Sequence, residues 1–424
     1  MELSVASTSF PFRRRSARGD AALRPMTEPP VRYRYLTPEG AKGLLRYKYS
    51  GSDASLLYNY IISPIAQCLV DHVIPESLAP NAITILALSL VACAHLCMLY
   101  FSPNMEEVAP SWVYAAAGIS LLVYQILDVA DGKQARKTGN SSPLGLLFDH
   151  GCDALNVVIS ACTFASTIQT GPTYWSLLLL LSPAMVFFMA TWEEYYTGTL
   201  ALPIVNGPNE GLAIMYSCYL ATAAVGPGFW LQSNVLVPSL RNNEAFVLMT
   251  LIASIGQCFV SVVIAIKSLE RRARDGAAAL LGIMPFAALI GLAALWVLWS
   301  PSDIFADHPR LIMWTVGFFF AKVSSILSPT LNLCEQKGLT MVMHMMLAHM
   351  CEEPFWLLRK TFSILLATAL LIVVGIVPWG HEKVVAELFF VLALGSYLHM
   401  VYFLVLELAN LLDIFVFKVK KKQG

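Results

Sequence analysis

The sequence predicts an all-α polytopic membrane protein, with about ten transmembrane helices following an N-terminal interfacial helix. Two observations predict it. Apolar residues make up 57% of the 424 residues and charged residues only 13%, a balance outside the soluble range. The ionisable residues also gather between long apolar runs rather than within them, as a hydrocarbon solvent requires. Lys plus Arg and Asp plus Glu are 28 each, so no net positive charge points to nucleic acid. The nine cysteines are scattered and form no Cys-x-x-Cys pair. They read as small apolar core residues rather than a zinc site or a disulfide framework.

The elements follow in order. Residues 1–40 carry Arg13-Arg14-Arg15 and several prolines and read as a disordered cytosolic tail. No apolar run follows closely, so a signal peptide is not expected. Residues 41–78 read as an interfacial helical region, because the apolar run Leu56–Val73 is interrupted by Asn59, Pro64 and Asp71. Stretches of spanning length then fall at 82–101, 111–130, 145–168, 173–196, 212–232, 245–268, 276–299, 310–330, 361–379 and 386–413. The first six lie in a unit at 79–268 and the last four in a unit at 269–424. Basic clusters at Arg13–Arg18, Lys133/Arg136/Lys137, Arg271/Arg272/Arg274, Arg359/Lys360 and Lys418–Lys422 alternate with Glu106/Glu107 and Asp303/Asp307. The positive-inside rule accepts this order only with both termini in the cytosol.

Chemistry is concentrated at one place. Asp128, Asp131, Asp149 and Asp153 fall within residues 128–153, at the end of one apolar run and the start of the next. Spacings of three and four put each pair on one helix face, so two facing helices would form a cup of four carboxylates. Four acids near membrane depth need compensation, and hard oxygen ligands suit Mg²⁺ or Mn²⁺.

The string Asp128-Val-Ala-Asp131-Gly132-Lys-Gln-Ala135-Arg136, then Gly145, Asp149 and Asp153, resembles the signature D-x2-D-G-x2-A-R-x8-G-x3-D-x3-D of the CDP-alcohol phosphotransferases. Length, span number and further strings resemble the eukaryotic choline/ethanolamine subgroup: Pro80-Asn81-Ala-Ile-Thr84, Phe148-Asp-His-Gly-Cys-Asp153, Thr191–Leu200 and Asn206–Gly211. One departure is Leu146, where members usually carry Glu after the motif glycine.

The resemblance implies that the 79–268 unit is a catalytic core. It would transfer phosphocholine or phosphoethanolamine from CDP-choline or CDP-ethanolamine to diacylglycerol, releasing CMP. Asp128, Asp131, Asp149 and Asp153 would then hold two divalent ions. Asn81, Gly132, Ala135, Arg136 and Gly145 would contact the CDP-alcohol, with Arg136 suited to phosphate as a fork. The resemblance points to Asp153 as the base, and His150 is the rival, with a pKa near working pH. Glu193 and Glu194, beside Trp192, Tyr195 and Tyr196, could cage the ammonium headgroup through charge and cation–π attraction, or form an interfacial belt. Glu210 is a weaker candidate of the same kind. The last four spans are expected to pack, dimerise or line a lipid path, giving a homodimer. His344 and His349, within Met341–Met350, read as part of an interfacial helix rather than a metal site. Lys421 and Lys422 resemble a dilysine retrieval signal and point to the endoplasmic reticulum, with the Golgi as the alternative. Two other readings stay open: a same-family enzyme for another alcohol such as inositol phosphate, and a transporter with the acids as its ion site.

Overall fold

The computed structural model describes residues 35–271, 276–321, 341–351 and 379–419. Among the described residues the architecture is helical, apart from one small parallel pairing of β1 (Gly51–Asp53) with β2 (Leu200–Leu202) and an isolated bridge between Ser233 and Arg241. Among the described residues, two α-helices precede the first span: α1 (Pro38–Arg46) and α2 (Ser63–His72). Then come α3 (Pro80–Phe101), α4 (Ser111–Thr138), α5 (Pro143–Thr167), α6 (Tyr174–Thr197), α7 (Leu212–Val225) and α8 (Asn242–Arg271). The remainder comprises α9 (Gly276–Leu280), α10 (Met284–Trp299), α11 (Ile304–Asp307), α12 (Pro309–Ala321), α13 (Met341–Cys351) and α14 (Glu382–Leu412).

Seven described helices are long and apolar enough to cross a membrane: α3, α4, α5, α6, α8, the run Leu281–Trp299 that contains α10, and α14. The other three expected spans differ. The stretch 212–232 is broken, because Gly226 at φ +86° and Pro227 end α7 after 14 residues. Of 310–330, the described part is the 13-residue α12. The stretch 361–379 lies outside the described residues apart from its end, as do Arg13–Arg18, Arg272/Arg274, Arg359/Lys360, Lys421/Lys422 and the side chain of His344. The expected tail also ends earlier than residue 40. Thr37 caps α1 by accepting the Gly40 amide at 2.9 Å, and the Tyr35 amide donates to Glu407 Oε2 on α14 at 2.7 Å.

The local sequence sets the position of the acids. Helix α4 has 28 residues, about 42 Å at 1.5 Å per residue, against a hydrocarbon thickness of about 30 Å. Its last turns therefore emerge from the apolar layer. Gly139, at φ +70°, closes it with its amide on Arg136 O, and the Asn140 amide donates to Ala135 O. Three residues later Ser142 caps α5 by accepting the Gly145 amide at 3.1 Å, with Pro143 in the first turn. This short link makes α4 and α5 antiparallel neighbours and stacks the two acid pairs at one end of the bundle.

Packing fixes that end. Helix α4 lies on α3 and α7, α3 on α5, and α6 on α8. The Gln134 side chain donates to the Pro75 and Leu78 carbonyls, and Lys137 donates to Val70 O. The polar end of α4 is thereby tied to α2 and to the turn before α3. Helix α12 packs on both α5 and α14, joining the C-terminal elements to the same core.

Candidate active site

Asp128, Asp149 and Asp153 converge: one carboxylate oxygen from each lies within 4.8 Å of the others. All three are half-buried. Asp128 Oδ1 and Asp149 Oδ1 are buried and take no hydrogen bond from a described residue. No ion pair to these acids occurs among the described residues. Three carboxylates so close repel one another strongly unless a cation stands between them. The donor set is oxygen only, which fits a hard divalent ion.

Asp131 stands beside this triad and is buried, with its carboxylate accepting a hydrogen bond from the Thr84 hydroxyl of α3. Tyr124, one turn before Asp128 on α4, donates to Asp153 Oδ1 at 2.6 Å. The sequence carries Thr84 only within the Pro80–Thr84 string, with no role attached, and gives Tyr124 none either. The trace of Tyr124 there is its i−4 spacing from Asp128 on an apolar helix; the Thr84 contact depends on the α3–α4 crossing and leaves none.

His150 Nδ1 lies 3.0 Å from the carbonyl oxygen of Leu146. A carbonyl only accepts, so Nδ1 carries the proton and Nε2 of the neutral ring is an acceptor. His150 shares a helix face with Asp153 at i, i+3. Its ring leans on Phe187 of α6 at 6.3 Å.

The expected nucleotide residues form the rim. The Asn81 side chain donates to the Val416 carbonyl at 3.0 Å, so the segment after α14 reaches the mouth of α3. A Cβ on Gly145 would meet Asn81 Oδ1 at 3.6 Å and Ser142 Oγ at 3.5 Å. Arg136 is exposed and folds back along its helix, with Nη1 3.4 Å from where a Gly132 Cβ would stand; Ala135 is half-buried beside them.

The expected headgroup cage divides. Trp192 is fully buried and donates its indole N–H to Ala279 O, with Tyr196 against its ring. Glu193 is buried toward Ser261 of α8. Glu194 instead faces α13, with Oε1 4.0 Å from His349 Nε2, and the Tyr195 ring lies 6.4 Å from that of His349. Successive residues on a helix diverge by about 100°, so Trp192, Glu193 and Glu194 meet different neighbours, while Glu194 and Tyr195 both reach His349. Glu210 serves the loop fold: it accepts from Ser55 Oγ at 2.5 Å and from the Asn206 amide at 2.9 Å.

The profile of the CDP-alcohol phosphatidyltransferase family matches residues 77–321. The chain belongs to the CDP-alcohol phosphatidyltransferase family. Among relatives, it is similar to Choline/ethanolaminephosphotransferase 1 of Arabidopsis thaliana, 32% identical over 410 residues, 92% of this chain and 100% of that one. It is also similar to Ethanolaminephosphotransferase 1 of Mus musculus, 34% identical over 326 residues, 71% of this chain and 80% of that one. For a CDP-alcohol phosphatidyltransferase the placement is coherent. The matched region runs from the turn before α3 to the end of α12, and contains the acid triad, Asp131, His150 and the whole rim except the Val416 carbonyl.

Proposed function

We propose that the protein transfers phosphoethanolamine or phosphocholine from its CDP-linked form to the hydroxyl of diacylglycerol, releasing CMP. The observation that carries this reading is the meeting of Asp128, Asp149 and Asp153, with buried unpaired oxygens, at the end of the α4–α5 hairpin. Asp128, Asp131, Asp149 and Asp153 would hold Mg²⁺ or Mn²⁺, two ions per site. Bound there, divalent ions neutralise the diphosphate and stabilise the leaving oxygen. Asn81 and Arg136 orient the nucleotide and its phosphates, while Gly132, Ala135 and Gly145 leave room for them.

The acceptor oxygen attacks the phosphorus that carries the headgroup. A new P–O bond forms as the bond from that phosphorus to CMP breaks. The hydroxyl proton passes to His150 Nε2, the ring being fixed by its Nδ1 bond to Leu146 O. This reverses the preference read from the sequence, because Asp153 belongs to the triad and its Oδ1 is engaged by Tyr124. The headgroup points toward Glu194 and Tyr195. A homodimer in an internal membrane belongs to the same proposal and rests on the family resemblance.

Purified protein in lipid nanodiscs tests the reading. With CDP-ethanolamine or CDP-choline, CMP should appear only when diacylglycerol is present, in step with new phospholipid. A monodisperse preparation that forms no CMP from either donor would refute it.

A further inference from the structure

The buried glutamates among the described residues differ in pairing, and Glu193, with one oxygen unpaired and a bond to Ser261, lies between the two extremes. Glu382, 1% exposed, is fully paired: it accepts from Trp296 Nε1 and Ser300 Oγ at 2.8 Å each, and from Ser302 Oγ at 2.6 Å. Glu194, also 1% exposed, takes no hydrogen bond at either oxygen from a described residue. A buried carboxylate without donors is costly and calls for a partner. The Tyr47 hydroxyl is likewise buried and unpaired, and its ring stands edge-on to His349 at 5.6 Å. Tyr47, Tyr195 and Glu194 thus gather about the His349 ring and bring three unpaired oxygens to it. Such a cluster suits a small cation with several N–H donors.

That cluster lies on the helix that also touches the reaction site. Phe187 touches His150, and Glu194 lies seven residues further on the same face of α6, about 10 Å nearer the polar end. Tyr49 feels the charge of both regions. Burial raises the pKa of its phenol, and the charges of Glu194 and then Asp149 raise it further.

We propose that Glu194, with Tyr47 and His349, receives the primary ammonium of an ethanolamine headgroup and makes the enzyme prefer CDP-ethanolamine to CDP-choline; this rests on the transferase reading above. A primary ammonium has three N–H donors for two carboxylate oxygens and a phenol. A trimethylammonium has none and leaves all three unpaired in a dry site, the arrangement that discriminates most strongly between otherwise similar substrates.

The test uses four donors: CDP-ethanolamine, its N-methyl and N,N-dimethyl forms, and CDP-choline. With wild-type protein, kcat/KM should fall as N–H donors are removed, at least about tenfold across the series. Glu194→Gln should flatten the series mainly by raising KM for CDP-ethanolamine, with kcat nearly kept. Tyr47→Phe should act in the same direction to a smaller extent. Equal use of the four donors, preference for CDP-choline, or an equal loss on all four in both variants overturns the proposal. CMP release from none of them overturns the transferase reading itself, and the headgroup assignment with it.

Discussion

In the proposed mechanism Tyr124 holds Asp153 while His150 takes the proton, whereas the family resemblance favours Asp153 as base with His150 as its rival. The Tyr124 hydroxyl fixes Asp153 Oδ1, so Tyr124→Phe should loosen that carboxylate without changing the charge of the cup. A loss of about tenfold in kcat is expected, about the contribution of one hydrogen bond to a charged group, with donor KM little changed. His150→Ala should cost at least about a hundredfold in kcat, the lower range for a positioned base, while nucleotide binding persists. Asp153→Asn should act differently and mainly weaken metal affinity, read as a higher ion concentration for half-maximal activity. If His150→Ala keeps most of its turnover while Asp153→Asn loses it at saturating metal, the base returns to Asp153. Asp131→Asn should weaken metal binding and also remove the charge that receives the Thr84 hydroxyl.

At the scale of elements, the far end of the bundle holds the catalytic helices in register. Arg310, at the start of α12, is 8% exposed. Its Nε donates to Pro103 O at 2.7 Å, and its Nη2 donates to Ser102 O and Ser166 Oγ at 2.5 Å each. One guanidinium thus joins the ends of α3, α5 and α12, which a lysine cannot do with a single point of donation. Arg310→Lys should cost about 2–3 kcal/mol, because buried acceptors lose their donors. Thermal unfolding in detergent should show a drop of about 5 °C or more, with donor KM unchanged in the folded fraction. An unchanged melting temperature would remove Arg310 from this role. Helix α12 also crosses α5 closely: a Cβ on Gly317 would lie 2.5 Å from Val158 Cγ1, so no larger residue fits without moving one helix. The C-terminal half therefore supports the acid-bearing helix directly, besides sending Val416 to Asn81.

At the scale of the whole molecule, the acids, the basic residues Lys133, Arg136 and Lys137, and the short 139–142 link share one end of the bundle. If that end faces the cytosol, Asn140, in the acceptor pattern Asn140-Ser-Ser, should carry no glycan in eukaryotic cells. Treatment with an endoglycosidase should leave its mobility unchanged; a shift abolished by Asn140→Gln would invert the orientation. Turnover should stop when divalent ions are chelated and return with Mg²⁺ or Mn²⁺. Ca²⁺ should restore it poorly, since its longer bonds and looser geometry misplace the phosphates. Full turnover in excess chelator would exclude the metal role of the four acids.

The sequence by itself determined the helical membrane class, the α4–α5 hairpin and the acid positions, because these rest on local signals. Apolar length, helix period, the Gly139 stop and the Ser142-Pro143 start are all written within a few residues of where they act. Tertiary structure alone decided which side chains meet across helices. Trp192, Glu193 and Glu194 are adjacent in the chain yet face different neighbours, and Tyr47 and His349 reach Glu194 from distant segments. The Tyr124–Asp153 bond likewise joins side chains of two different helices. The physical reason is reach: a periodic pattern states which face of a helix is apolar, but a hydrogen bond between helices depends on their rotation and depth. Those are set by packing of the whole bundle.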